Sequence, residues 1–331
     1  MLEGARETVA GVLGARPSSV VFTSGATESV HLAIRGLRAP GTIVATDVEH
    51  PAVVGAIAAS GRTLVRLPIR DATGPAFEAA LDGAALVTLP YGGHETGDLL
   101  PVADLAARAH AKGVPVHLDA AQALGRVPFR VGDLGADLAS ISAHKCGGPP
   151  GAGALVVRPG LDIDPLLAGG GQERGRRGGT EAWPLHVAFG GACEALTPAE
   201  VAGRAERMAA LRDELEERAL EAIEGTVVNG LGGPRLPNTS SLSIEGVDGH
   251  EVVIALDLRG FAVSSGSACA SGLREPSPIV RALHPQPWRA KGAVRVSLGP
   301  DTGAAEIGEF VRELAAAVAL LRAGSRDHTV P

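Results

Sequence analysis

A lysine that leaves a strand-like run and enters a glycine-rich turn is placed to lose solvation, and a desolvated amine has the lowered pKa that Schiff-base chemistry needs. Lys145 is such a residue, in the segment Ala-Ser-Ile-Ser-Ala-His-Lys-Cys-Gly-Gly-Pro-Pro-Gly that also carries Ser142 and His144. Most lysines are ordinary surface groups, so the meaning of this one depends on its company. Upstream, Val-Pro-Val-His-Leu-Asp ends an apolar run on Asp119, with Gln122 three residues later. A carboxylate there can pair with the nitrogen of a heteroaromatic ring and keep it protonated; it can equally cap the helix that follows. In Val-Val-Phe-Thr-Ser-Gly-Ala-Thr-Glu-Ser, small residues including Ala26 and Thr27 stand where a strand gives way to a helix. Free backbone N–H groups and the positive end of the helix dipole make such a start a seat for phosphate, although plain helix capping leaves the same signature.

A fourth candidate is Cys269, in Phe-Ala-Val-Ser-Ser-Gly-Ser-Ala-Cys-Ala-Ser-Gly-Leu-Arg. The run offers little apolar burial, and a thiol that must reach a substrate needs access. A small residue in a structural turn is the alternative reading. The other cysteines, Cys146 and Cys193, are read as packed small residues. Three scattered cysteines fit neither a disulfide framework nor paired zinc ligands, so no metal site is expected.

These residues need a scaffold that collects strand ends. From about residue 20 to 160, short aliphatic or β-branched runs alternate with alanine-rich helical stretches: 20–22, 42–46, 63–69, 85–90, 114–119, 137–142 and 153–157. Alternation of this kind predicts an α/β domain with a mostly parallel sheet, in which ligands gather beyond the carboxyl ends of the strands. A long helix over 198–223 follows, and then strand-like runs and a closing helix that predict a smaller α+β domain. The expected division is a large domain over 1–195 and a small one over 196–331 carrying the Cys269 segment. The chain has 331 residues, 45% of them hydrophobic, enough for two cores. Its 30 basic and 37 acidic residues give a net charge of −7 without a dense basic block, so nucleic acid is not an expected partner. No apolar run reaches the roughly 20 residues that span a bilayer. A cytoplasmic protein without a membrane partner is expected.

Taken in order along the chain, Phe-Thr-Ser-Gly-Ala-Thr-Glu-Ser, Val-Glu-His ending at His50, His-Leu-Asp-Ala-Ala-Gln, Ser-Ala-His-Lys, Gln-Glu-Arg-Gly-Arg-Arg-Gly-Gly-Thr, Val-Ser-Ser-Gly-Ser-Ala-Cys and Val-Arg-Val-Ser-Leu-Gly resemble the cysteine desulfurases of group I. These have the long catalytic loop and belong to the class V aminotransferases, pyridoxal-phosphate (PLP) enzymes of fold type I. The resemblance implies that Lys145 forms the Schiff base with PLP, that Asp119 pairs with the pyridine nitrogen, and that Gln122 bonds the phenolic oxygen. His50 would stack on the ring. Ala26, Thr27, Ser142 and His144 would hold the phosphate, and Thr180 would reach the phosphate bound by a neighbouring subunit, which implies a homodimer. Arg295 would clamp the carboxylate of an L-cysteine substrate. Cys269 would take its sulfur as a persulfide and hand it to an acceptor or scaffold protein, as in iron–sulfur cluster assembly.

The chain departs from that pattern twice. Where the family carries Asn-Asn-Glu-x-Gly, it has Gly93-His94-Glu95-Thr96-Gly97, which puts His94 in place of an asparagine near the substrate. The family's leading segment, with its Asp-x-x-Ala-Thr-Thr-Pro motif, has no counterpart ahead of Leu2. A related class V lyase or aminotransferase acting on another amino acid, and a non-catalytic homologue serving as a partner subunit, are the alternative expectations.

Overall fold

The computed structural model describes residues 1–266 and 275–327. Cys269 and Arg274 lie outside them. The chain divides into two compact units, one of residues 1–93 and 99–203, the other of residues 94–98 and 204–331. The short 94–98 segment, which contains His94 and Glu95, thus groups with the second unit although the chain on both sides of it belongs to the first.

In the first unit the apolar runs become strands β1 (Val20–Thr23), β2 (Thr42–Thr46), β3 (Leu64–Leu67), β4 (Ala84–Pro90), β5 (Val116–Asp119), β6 (Leu138–Ser142) and β7 (Gly153–Val157). They form one sheet in the order β1-β7-β6-β5-β4-β2-β3. β7 runs against both of its neighbours, and the pairs β2–β3, β2–β4, β4–β5 and β5–β6 are parallel, so six strands point one way. β4 and β6 are buried almost throughout, as expected for strands covered on both faces. The cover comes from helices α1 (Leu2–Leu13), α2 (Ala26–Gly36), α3 (Pro51–Ser60), α4 (Pro75–Ala80), α5 (Val102–Ala111) and α6 (Trp183–Glu194), with α7 (Pro198–Ala222) leading out of the unit. Val21, Ile34, Ile43, Leu86, Leu138 and Leu155 share one core cluster. α1 packs on α6 closely enough that a Cβ at Gly190 would sit 2.7 Å from that of Ala5, which explains a glycine in mid-helix.

The second unit holds an antiparallel sheet of β8 (Thr226–Val228), β9 (Thr239–Ile244), β10 (Ser264–Ser265) and β11 (Ala293–Ser297), ordered β10-β11-β9-β8. Helices α8 (Gly249–Asp257), α9 (Pro278–Leu283), α10 (Pro287–Lys291) and α11 (Ala304–Asp327) complete it. Leu242, Leu256, Val294, Phe310 and Leu314 form its core. Ahead of the two-residue β10, Phe261 and Val263 pack against that core.

One long-range ion pair fixes the start of the first unit. Arg6, on α1, makes a bidentate contact with Glu173 at 2.7 and 2.8 Å, and both side chains are almost fully buried. Glu173 also accepts from the N–H of Phe22 at 2.9 Å, and Arg6 donates to the carbonyl of Val20, so β1, α1 and the 172–175 turn share one junction. The turn holds two successive non-glycine residues, Glu173 and Arg174, at φ 47° and 56°, a conformation that needs outside support. Removing one partner of a buried pair strands the other charge. Glu173→Ala should therefore lower the unfolding free energy by about 3–5 kcal/mol, read as a shift in the urea midpoint without a change of slope.

Candidate active site

Parallel strands put their carboxyl ends along one edge, and Lys145, Asp119 and His50 lie there. Lys145 is half-buried on the turn Ala143–Cys146 that leaves β6. Asp119 closes β5, where its Oδ1 accepts from the N–H of Ala121 at 3.1 Å. His50 caps α3, with Nδ1 accepting from the N–H of Ala52 at 3.1 Å. That bond assigns the neutral tautomer whose proton is on Nε2. Electrostatics link the three groups: burial lowers the His50 pKa, the Asp119 charge opposes the shift and the Lys145 charge adds to it. Burial raises Asp119, against the pull of Ala121 and His50. An amine, an imidazole and a carboxylate are thus gathered from three strand ends.

His144 is exposed on the same turn, bonded through Nδ1 to Ser142 Oγ at 2.9 Å, and burial with the Lys145 and Arg126 charges lowers its pKa. Gln122 Oε1 accepts from Arg126. Ala26 and Thr27 open α2, whose N-cap Gly25 makes no side-chain cap bond; the Glu28 carboxylate instead takes the N–H of Ser24 at 2.7 Å and Arg177 Nε at 3.0 Å. A Cβ on Gly153 would stand 2.6 Å from Gly25 Cα, so β7 meets this helix start backbone to backbone. Thr180 is exposed beyond the glycine-rich turn.

Residue spacing singles out neither Glu49 nor His117, yet both stand directly behind the cluster. The Glu49 carboxyl is buried, accepts from Thr46 Oγ1 at 3.0 Å and leaves Oε2 without a partner among the described residues. Burial and the Asp119 charge hold its pKa well above the usual carboxylate range, which favours the protonated form and spares Asp119 a second anion. His117 lies two residues before Asp119, on the same face of β5. It bridges Thr88 Oγ1 on β4 and Ser140 Oγ on β6, at 2.8 Å each, and burial lowers its pKa to about 3. A histidine inside an apolar strand at an even spacing from Asp119 was the available signal.

In the second unit, Arg295 on β11 donates from Nη1 to the carbonyl of His94 at 2.7 Å, and its Nε is buried with no partner among the described residues. His94 Nε2 lies 3.9 Å from Glu95 Oε1. Glu95 accepts a hydrogen bond from the Ser277 hydroxyl, and burial lifts its pKa to about 7 against the opposing effects of Ser277 and Arg295.

The family described as aminotransferase class-V matches residues 1–310. The chain belongs to the class V aminotransferases. A cysteine desulfurase of Enterobacter agglomerans is 38% identical over 97% of this chain and 82% of its own length. An IscS-like cysteine desulfurase of Mycobacterium tuberculosis is 36% identical, with 97% and 86% covered. Among solved structures, a NifS-like protein superposes with a TM-score of 0.87 at 31% identity, over 97% of this chain and 88% of that one. PLP is the cofactor of this class V family, and the donor set fits it: a half-desolvated amine, a strand-end carboxylate suited to a ring nitrogen, and a helix start free of a side-chain cap.

The bridge at His117 carries a prediction. Replacing it by leucine leaves the Thr88 and Ser140 hydroxyls unpaired in a dry site, at roughly 1–3 kcal/mol each. The folded pKa of about 3 is below the ordinary 6.5, so the unfolded chain binds the proton first and the parent loses this stability as pH falls from 6.5 towards 3. His117→Leu should be less stable at pH 7 and lose less on acidification, measured as urea midpoints across that range.

Proposed function

We propose that this chain is a PLP-dependent cysteine desulfurase that converts L-cysteine to L-alanine and takes the sulfur as a persulfide on Cys269. The observation that carries the reading is the joining of Lys145, Asp119 and His50 at one sheet edge, in a chain alike over 97% of its length to relatives named cysteine desulfurase. PLP, when bound, supplies an electron sink that weakens bonds at the substrate α-carbon. In this reading Lys145 holds the cofactor covalently and moves a proton at that carbon, Asp119 keeps the ring nitrogen protonated, and Gln122 faces the phenolic oxygen. His50 would lie on the ring face, its imidazole carrying the ring proton on Nε2. The first turn of α2 at Ala26 and Thr27, with Ser142 and His144, receives the phosphate.

Arg295 takes the substrate carboxylate. Its orphan buried Nε supports that role, since a guanidinium edge with an unused donor suits a carboxylate. His94 stands in this reading where a family asparagine would touch the substrate, and it sets which amino acid is preferred. The Cys269 thiolate forms a bond to the substrate sulfur as the carbon–sulfur bond breaks. Thr180, exposed beyond its glycine-rich turn, reaches the site of a second copy of the chain, which makes the enzyme a homodimer. The persulfide passes to an acceptor protein of iron–sulfur cluster assembly in the cytoplasm. Among the described residues no helix is long and apolar enough to cross a membrane.

Two measurements test the reading. Cys269→Ser should keep the visible absorbance of the lysine-bound cofactor and lose more than 90% of sulfide release from L-cysteine, roughly a tenfold loss or about 1.4 kcal/mol of barrier. Sulfide release at the parent rate, with no added sulfur on Cys269 by mass spectrometry, would replace the desulfurase by a class V lyase that eliminates from the substrate directly. Asp119→Asn should keep PLP bound, since the phosphate contacts remain, while turnover falls by more than about tenfold; smaller losses would remove Asp119 from the mechanism.

A further inference from the structure

Cys146 and Cys193, far apart in sequence, come together in the first unit. Cys146 ends the turn that presents Lys145, with Sγ 3.2 Å from the carbonyl of Ala143. Its thiol interacts with that of Cys193, in the last turn of α6, a helix that packs against the Lys145 turn. Gly125 lies against the Cys146 turn: a Cβ there would lie 3.2 Å from Cys146 Cβ and 3.2 Å from Cδ2 of Leu196, whose N–H donates to the Cys193 carbonyl. Cys146 is half-buried, Cys193 is 1% exposed, and Cys193 lines a cavity of about 570 Å³ shared with Gly11, Leu124, Gly125 and Leu196.

The two thiols are not equivalent. The interaction with Cys193, the Gly148 backbone and the Arg126 charge lower the Cys146 pKa, while the same pairing and burial push Cys193 up. The accessible sulfur is therefore the better nucleophile, and the buried one keeps its proton beside it.

We propose that Cys146 and Cys193 form a reversible disulfide site, oxidised by a small hydroperoxide, beneath the turn that carries Lys145. The Cys146 thiolate attacks the O–O bond, which breaks; one oxygen stays on sulfur as a sulfenic acid and the other leaves as water or alcohol after taking a proton. Cys193 then attacks that sulfur. The S–S bond forms, the S–O bond breaks, and the oxygen leaves as a second water with the Cys193 proton. Two thiols lose two electrons and the peroxide gains them; a dithiol reverses the change. Forming the bond brings the two sulfurs to about 2.05 Å, so the two thiols must move together. Gly147, at φ 92° with open space beside it, follows Cys146 directly and gives the turn a point of movement. Because Lys145 is the neighbouring residue, the movement displaces its amine. The disulfide is independent of the proposed function, and only this effect on the cofactor rests on that reading.

The test treats the purified holoenzyme with hydrogen peroxide, blocks remaining thiols in denaturant and maps unreduced peptides by mass spectrometry. A Cys146–Cys193 cross-link in most molecules, lost on adding dithiothreitol, is expected, together with a reversible change in the visible cofactor band. Neither should occur in Cys193→Ala, nor in Cys146→Ser, which changes a half-buried position should the first variant fail to fold. Full alkylation of both thiols at peroxide levels that oxidise Cys269, or cross-links joining either one to Cys269, would overturn the site. A cross-link with an unchanged band would overturn its effect on Lys145. No visible band before oxidation would sink the PLP reading and leave the disulfide to be judged on the peptides.

Discussion

Placing a carboxylate in a poorly solvated site is costly unless fixed donors or cations offset the loss of water. Asp119 is in that position, at the end of a strand whose other residues are buried. The surroundings of the cluster follow from meeting that requirement. Ala121 donates a backbone N–H, the His50 imidazole lies close enough to lower the carboxyl pKa, and Glu49 behind it is held towards its neutral form. Lys145 faces the same group of charges from the next strand end. A second ionised carboxylate at Glu49 would set like charges against each other in a low dielectric. Burial thus sorts two acids into different roles.

Rigidity comes from beneath the cluster. His117 is locked neutral between hydroxyls on β4 and β6, so three adjacent strands are pinned by side chains as well as by the backbone ladder. At the other end of the unit, the Arg6–Glu173 pair fixes the turn from which the glycine-rich segment runs to Thr180. Neither network contains a proposed catalytic group; the first pins the strands that end at Asp119 and lead to Lys145, and the second holds the turn that leads to Thr180. Functional groups on strand ends and short turns reach defined positions only if the strands behind them cannot slide.

The order of motifs, the alternation of apolar runs with helices, and the strand-end position of Asp119 and Lys145 are all local properties, and the sequence determines them. Seven short runs read from it fall on β1 to β7, and the mostly parallel sheet follows from the spacing that crossover helices need. The same reading left Asp119 divided between helix cap and ring partner, since both uses ask for the same residue in the same place. Tertiary structure decided what depends on which strands become neighbours. β4 and β6 flank β5, so Thr88 and Ser140 close on His117; the end of β2 comes near the end of β5, so Glu49 meets Asp119; α6 lies against the Lys145 turn, so Cys193 meets Cys146. Cysteines read as separate packed residues became neighbours because contact between distant positions has no periodicity along the chain. It is fixed only when crossovers choose the strand order.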